Sequence, residues 1–269
     1  MIWLLPWKSD DGARHHPWAT WALMLANVAV FLGMPSEGAA LEAWYREWGL
    51  IAGDPRPVQY LTSAFIHGGA VHLAGNMLFL WIFGDGVEDA LGIAGFLCVY
   101  LLGGLAGDLL YVSANDHLIP SIGASGCISA VAGAYAVLFY DRDVPLKLML
   151  VVFPVYTLRV GAFWLLLLWF GADVWMTAAG RGELAGESGV NFVAHGAGFA
   201  FGFAVAVVAR LHGTMRRFEA LANGDTWWGY WPARLDREHR EDVLRRARLQ
   251  RARDAQLPRL PGERDPWRD

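Results

Sequence analysis

Long apolar runs separated by short polar patches set the pattern of this chain. After a polar patch from Lys8 to His16, Pro17 leads into Trp18 to Met34, which is apolar except for Thr20 and Asn27. A helix needs about 20 residues to cross a hydrocarbon core, so this run predicts a first span. His67 to Ala90 predicts a second, with a polar head of His67, His72 and Asn76 and a polar foot of Asp85, Glu88 and Asp89. Ile93 to Val112 predicts the third, ending at the polar loop Ser113 to His117, and Gly123 to Tyr140 the fourth, stopped by Asp141, Arg142 and Asp143. Val160 to Ala178 and Val190 to Arg210 predict the fifth and sixth.

The stretches between the runs carry a different pattern. Pro35 to Tyr60 mixes Trp44, Tyr45 and Trp48 with Glu42, Arg46, Glu47 and Arg56, as expected of a segment at a membrane interface that includes a short amphipathic helix. Leu146 to Ala179 contains Pro154 and Arg159 and is too short for two crossings at about 20 residues each, so Val144 to Val155 is expected to fold at the surface. Gly180 to Gly189 reads as a polar glycine-rich loop. The pattern divides the chain into an N-terminal segment (1–16), a six-span membrane domain (17–211) and an arginine-rich tail (212–269). The expected fold class is all-α, a polytopic six-helix bundle.

Composition agrees with that class: of 269 residues, 55% are hydrophobic and only 18% charged, more apolar matter than one soluble core of this size needs. Cys98 and Cys127 both lie in apolar runs without a metal-binding spacing and read as packing residues. The start of the chain meets Lys8, Asp10 and Asp11 too early in charge for a secretory signal, so the spans themselves are expected to drive insertion. Six spans put both ends on one side. That side receives Lys8, Arg14, Arg142, Lys147 and the arginine-rich tail, against Arg46, Arg56 and Arg181 opposite, which predicts cytosolic termini. The expected location is a bacterial cytoplasmic membrane. The tail reads as a solvated helix with charges of both signs, contact with anionic lipid heads being the functional alternative; no nucleic-acid partner is expected.

Candidate chemistry begins at Gly123-Ala124-Ser125-Gly126, where the fourth run opens. Polar groups at membrane depth are costly and usually functional, which makes Ser125 a candidate nucleophile, although serine and glycine are also ordinary helix-packing residues there. A serine at neutral pH needs a base, and His195 lies in the sixth run with Gly198 and Gly202 three and seven residues on, on its own helical face. Ser129 and Gly133, four and eight residues beyond Ser125, give the fourth run a matching face. Two small-residue faces of this kind bring Ser and His into contact; the competing reading is a buried histidine bonded to a carbonyl. No carboxylate near His195 in the chain suggests a triad, so a dyad is expected, with Asn191 a weak candidate helper.

Acyl transfer also needs donors where the carbonyl oxygen becomes negative. His72 and Asn76, four apart, share a helical face and can converge their donors, and the Ser125 N–H at a helix N-terminus supplies a third. Gly123 and Gly126 let a substrate backbone approach closely. The alternative for His67, His72 and Asn76 is anchoring of a helix end at the interface, the preferred reading for His67. Glu88, flanked by Gly84 and Gly92, is expected to tether helices rather than react.

The stretch HGGAVHLAGNMLFLWIFGDGVEDALG from His67 to Gly92, GASG around Ser125 and AHGAGFAFG around His195, in this order and spacing, resemble the rhomboid intramembrane serine proteases. The resemblance runs from about Pro17 to Arg210. It implies a six-helix bundle in the lipid bilayer that cleaves transmembrane protein substrates at or just inside the bilayer surface, with Ser125 as nucleophile and His195 as general base. His72, Asn76 and the Ser125 N–H would line the oxyanion hole, and no metal or organic cofactor is implied. The resemblance also implies a small residue before the scissile bond. Two departures stand out. Some members carry a Trp-Arg pair in the first interfacial loop where this chain has Val58-Gln59, and some carry a tyrosine one turn after the serine where this chain has Ser129. A catalytically silent relative that binds membrane clients is the alternative function, and a small-solute transporter a third.

Overall fold

A backbone surrounded by apolar side chains keeps its N–H and C=O groups bonded most simply by coiling, and each long apolar run here is helical. The computed structural model describes residues 2–7, 16–116, 118–150, 153–178 and 191–213. The element order is β1 (Ile2–Pro6), α1 (Trp18–Gly33), α2 (Gly38–Trp48), β2 (Leu50–Ile51), α3 (Gln59–Thr62), a 3-10 turn (Ser63–Phe65), α4 (Ala70–Ala114), β3 (Pro120–Ser121), α5 (Ser125–Leu138), β4 (Asp143–Leu150), β5 (Phe153–Gly161), α6 (Ala162–Ala178) and α7 (Phe192–Leu211). Among the described residues, α4 and α7 are long and apolar enough to cross a membrane, while α1, α5 and Ala162–Ala172 of α6 are apolar but shorter. The expected polar patch over 8–15, the glycine-rich loop over 180–189 and the tail beyond residue 213 lie outside the described residues.

The second and third predicted spans form one long α4, interrupted at Gly92. Its φ of 74° is a left-handed conformation that glycine adopts without a Cβ penalty, so the break falls where the sequence permits it. Just before the break, Glu88 is buried and its carboxylate accepts hydrogen bonds from the N–H of Ala19 at 2.9 Å, the N–H of Thr20 at 2.8 Å and the Thr20 hydroxyl at 2.8 Å. These are first-turn groups of α1, which lack intrahelical partners and sit at the positive end of the helix dipole. Glu88 is thus the tether between α1 and α4. Gly84, one turn away on α4, lies directly against the Thr20 side chain and leaves room for it.

The centre of the fold is α5, buried at every position from Cys127 to Leu138. Such burial requires neighbours on all sides, and glycines provide the close approach. A side chain at Gly202 of α7 would overlap the Ala130 carbonyl, one at Gly198 the Gly126 carbonyl, and one at Gly133 of α5 the Phe199 carbonyl. From α4, Gly103 and Gly104 lie against the side chains of Ala130 and Cys127, and Gly107 against the Ala194 carbonyl of α7. α4, α5 and α7 are therefore locked at backbone distance.

The all-α expectation requires correction. Three strands form an antiparallel sheet in the order β1-β4-β5, and β2 pairs with β3. Pro145 and Pro154 disfavour a helix over this stretch, and Leu146, Lys147 and Leu148 alternate with the period of a strand. The segment expected at the surface is thus a hairpin continued by the N-terminal strand. Leu148 stands opposite both Leu4 and Tyr156, and Leu146 opposite both Pro6 and Leu158. The near end of the sheet is fixed to the helices, with Val144 buried in the core and the Trp7 ring edge-on to Trp81 of α4 at 5.4 Å.

The interfacial segment folds around Gln59. Buried, it accepts from the Arg56 N–H at 3.1 Å and donates to the carbonyls of Arg46 and Glu47 at the end of α2, so this side chain ties the loop together where some similar sequences carry Trp-Arg. Glu88→Ala strands three donors at the start of α1. Its expected cost is about 3 kcal/mol of stability, read as a lowered thermal midpoint of the purified protein in detergent.

Candidate active site

The chain ahead of α5 is held before the helix begins. Leu50 pairs with Ser121 and Ile51 with Pro120, and the Gly123 N–H donates to the Ser63 carbonyl at 2.9 Å. Gly123 has φ 120°, and a Cβ there would meet the His72 ring at 2.8 Å, so both conformation and space call for glycine. Ser125 is the first residue of α5 and is half-buried. Its N–H belongs to the helical turn that has no intrahelical acceptors.

α7 begins beside this segment because Asn191 joins the two. Its side-chain oxygen accepts from the Ala194 N–H at 3.0 Å, capping the helix, and its amide donates to the Ser121 hydroxyl at 3.0 Å. One turn later His195 is buried, with Nε2 2.7 Å from the Ser125 Oγ. The two residues are 70 apart in sequence. The two side chains are thus within hydrogen-bond distance, and in the tautomer with Nε2 unprotonated the serine hydroxyl donates to the imidazole, the arrangement that general-base activation requires. The contacts of Gly198 with Gly126 and of Gly202 with Ala130 lie one and two turns farther along α7, so the glycine face of α7 meets α5 at Gly126 and Ala130, and of the expected pair Ser129 and Gly133 it is Gly133 that lies against α7, at the Phe199 carbonyl. Asn191 positions the helix that carries His195. The His195 ring also meets Phe192 edge-on, with centroids 6.3 Å apart.

His72 and Asn76 project from the first two turns of α4 toward the same place. Nδ1 of His72 accepts from the Gly68 N–H at 3.4 Å, which leaves the proton of a neutral ring on Nε2, the atom that faces Gly123. The Asn76 side-chain nitrogen is buried with no hydrogen-bond partner among the described residues and lies 3.7 Å from the Cβ position of Gly123. A buried donor without an acceptor is costly, and such groups are commonly explained by function. His67 is not at the surface as an interfacial anchor would be. It is fully buried behind His72, the rings edge-to-face at 5.1 Å.

These groups share one cavity of about 260 Å³, lined among others by Ser125, His195, His72, Asn76, Gly123 and Gly126. It holds the volume of several water molecules, so a nucleophile and a hydrolytic water fit together beside donors suited to an oxyanion. The cavity wall also includes Asp108, Trp169 and Ser63, which the sequence pattern did not single out. Asp108 lies four residues after Gly104 on the α4 face that meets α5, and that spacing was the available signal. Glu88 is not among the lining residues.

Comparison with known proteins adds an independent line. The family described as Rhomboid domain matches residues 54–212, more than half of the chain. Rhomboid protein 1, mitochondrial, of Saccharomyces cerevisiae is 37% identical over 103 residues, covering 36% of this chain and 29% of the relative. Rhomboid-like protease 5 of Toxoplasma gondii is 27% identical over 215 residues, 76% of this chain and 23% of the relative. Rhomboid protease GluP of Bacillus subtilis is 40% identical over 74 residues, 28% of this chain and 14% of the relative. The chain thus spans less than a third of the length of each.

Asn191→Ala removes the α7 cap and the link to Ser121. The expected result is a loss of about 1 kcal/mol in denaturant unfolding, with Asn191→Asp retaining most of the cap.

Proposed function

We propose that this chain, which belongs to the rhomboid family, is an intramembrane serine endopeptidase that cuts single-pass transmembrane proteins at or near the non-cytosolic surface of the bilayer. The observation that carries the reading is the 2.7 Å contact between His195 Nε2 and Ser125 Oγ inside a cavity that His72 and Asn76 also line. In this reading α1, the two arms of α4 on either side of Gly92, α5, α6 and α7 are six crossings, with both termini cytosolic in a bacterial cytoplasmic membrane. The excess of Lys and Arg at Lys8, Arg14, Arg142, Lys147 and the tail supports that orientation.

The length of α5 supports a recessed site. Its 14 residues extend about 21 Å, some 9 Å short of a typical hydrocarbon core of about 30 Å, so Ser125 at its mouth lies below the bilayer surface. Water must then reach the nucleophile through the cavity.

The chemistry follows from the positions. Ser125 gives its proton to Nε2 of His195 as Oγ attacks the peptide carbonyl, and the oxyanion that forms accepts from Asn76 Nδ2, His72 Nε2 and the Ser125 N–H. The imidazolium returns its proton to the departing amine, leaving an acyl-enzyme. A water molecule, deprotonated by His195, attacks the ester and releases the new carboxyl end. A helical substrate hides its carbonyls in its own hydrogen bonds, so segments with Gly or Pro near the cut are the expected substrates.

Reconstituted with a single-pass substrate carrying Gly near its outer boundary, the parent protein is expected to cleave and Ser125→Ala and His195→Ala to be inactive. Equal cleavage by all three would assign the activity elsewhere, and client binding without cleavage by any would favour a silent binder. Asn76→Ala is expected to lower kcat by about 10²-fold with little change in KM, measured on the same substrate. Equal cleavage of a Leu-rich span lacking Gly and Pro would contradict the requirement for unwinding.

A further inference from the structure

The sheet β1-β4-β5 takes no part in the site. It begins beyond the C-terminal end of α5, about 21 Å along the helix from Ser125. Its two faces differ sharply. On one, Leu4, Leu148 and Tyr156 stand opposite one another in a row, Leu158 lies in the next row, and Leu150 pairs with Phe153 beyond. This face carries no charged residue in these rows, and its outer strands are exposed: Leu4 is 55% exposed, Tyr156 64%, Leu158 47% and Phe153 71%, while Leu146 and Leu148 of the central strand are half-buried. The other face carries the charged residues of the sheet, Lys147 opposite Leu5 and Thr157, Arg159 opposite Pro145 and Asp143 opposite Gly161, together with the buried Met149 opposite Pro154, and the Lys147 ammonium lies 3.6 Å from the Trp7 ring centroid.

We infer that this sheet is a membrane-interface paddle whose apolar face lies on the acyl chains of the bilayer that holds the helices, with Lys147 and Arg159 turned toward lipid headgroups. Three observations select lipid as the occupant. β5 runs into α6 without a loop, at Gly161 and Ala162, and α6 continues the exposed apolar surface through Trp164 at 70% and Leu168 at 73%. The exposed face therefore adjoins an exposed apolar surface that faces lipid if α6 is a crossing, and the inference rests on that part of the proposed reading. The cations lie on the opposite face, where long side chains can reach anionic headgroups while their stems cover apolar surface. The outer edges of β1 and β5 have no strand partner among the described residues. Open edges do not occur within hydrocarbon, which places the sheet at the boundary, where water reaches its edges and its apolar face dips about 5–10 Å. The paddle's seat is independent of whether Ser125 cuts peptides.

The test uses full-length protein with Cys98→Ser, carrying one environment-sensitive fluorophore at Tyr156→Cys, Phe153→Cys or Thr157→Cys, in vesicles of phosphatidylcholine and phosphatidylglycerol. Leu168→Cys on α6 serves as the lipid-facing reference. Probes at 156 and 153 are expected to be quenched by phosphatidylcholine brominated near the headgroup several-fold more than the probe at 157, and the probe at 157 more by aqueous iodide. Equal iodide quenching at 156 and 157 would overturn the proposal. So would protection of 156 from both quenchers together with its crosslinking to a second copy, since a protein would then cover the face. Quenching of the 168 probe by brominated lipid in the same samples establishes that each variant is inserted, so a failure at 156 is a failure of the paddle alone.

Discussion

Gly198 and Gly202 bring the backbone of α7 against the carbonyls of Gly126 and Ala130 on α5, and the distance between Ser125 and His195 follows from that approach. Any larger side chain at these positions must push the helices apart. Between apolar helices in an apolar medium there is little hydrophobic force to resist such a push, and close packing of small residues does the holding. A hydrogen bond of 2.7 Å tolerates displacement of only a few tenths of an ångström before it weakens. The steric fit of two helices is therefore also the geometry of the Ser125–His195 pair.

The other elements reach the same point from outside. Asn191 and Ser121 fix where α7 starts relative to the strand just ahead of α5, and Gly123 turns the chain so that Ser125 opens its helix beside His72 and Asn76. Glu88 does the same for α1 by supplying acceptors at a helix start that no backbone could provide. In each case a polar side chain or a glycine stands where two elements must meet in a medium without competing water. Unsatisfied groups would be costly there, and satisfied ones make a single arrangement favourable.

Much of this was legible in the sequence for physical reasons. A run such as Trp18 to Met34 has one stable conformation in an apolar medium, and α1 ends within one residue of it. The spacing of Gly198 and Gly202 after His195 is a helical stripe, and it points at α5 as read. Other features were hidden because they depend on tertiary neighbours. Nothing in Asp143 to Gly161 announces that β1, more than a hundred residues earlier, completes its sheet. Asp108 joins the cavity on the α4 face that Gly103 and Gly104 bring against α5, and His67 is buried with its ring against His72. Gln59 replaces a familiar residue pair by making its contacts through backbone carbonyls, which no residue-by-residue comparison reveals.

In the proposed function, the packing of α5 on α7 turns Ser125 into an activated nucleophile. Treating the reconstituted protein with a serine-reactive fluorophosphonate and mapping the adduct by mass spectrometry tests it most directly. The expected result is a single adduct on Ser125 that His195→Ala abolishes. An adduct on another serine, or one on Ser125 that forms equally well without His195, would contradict it.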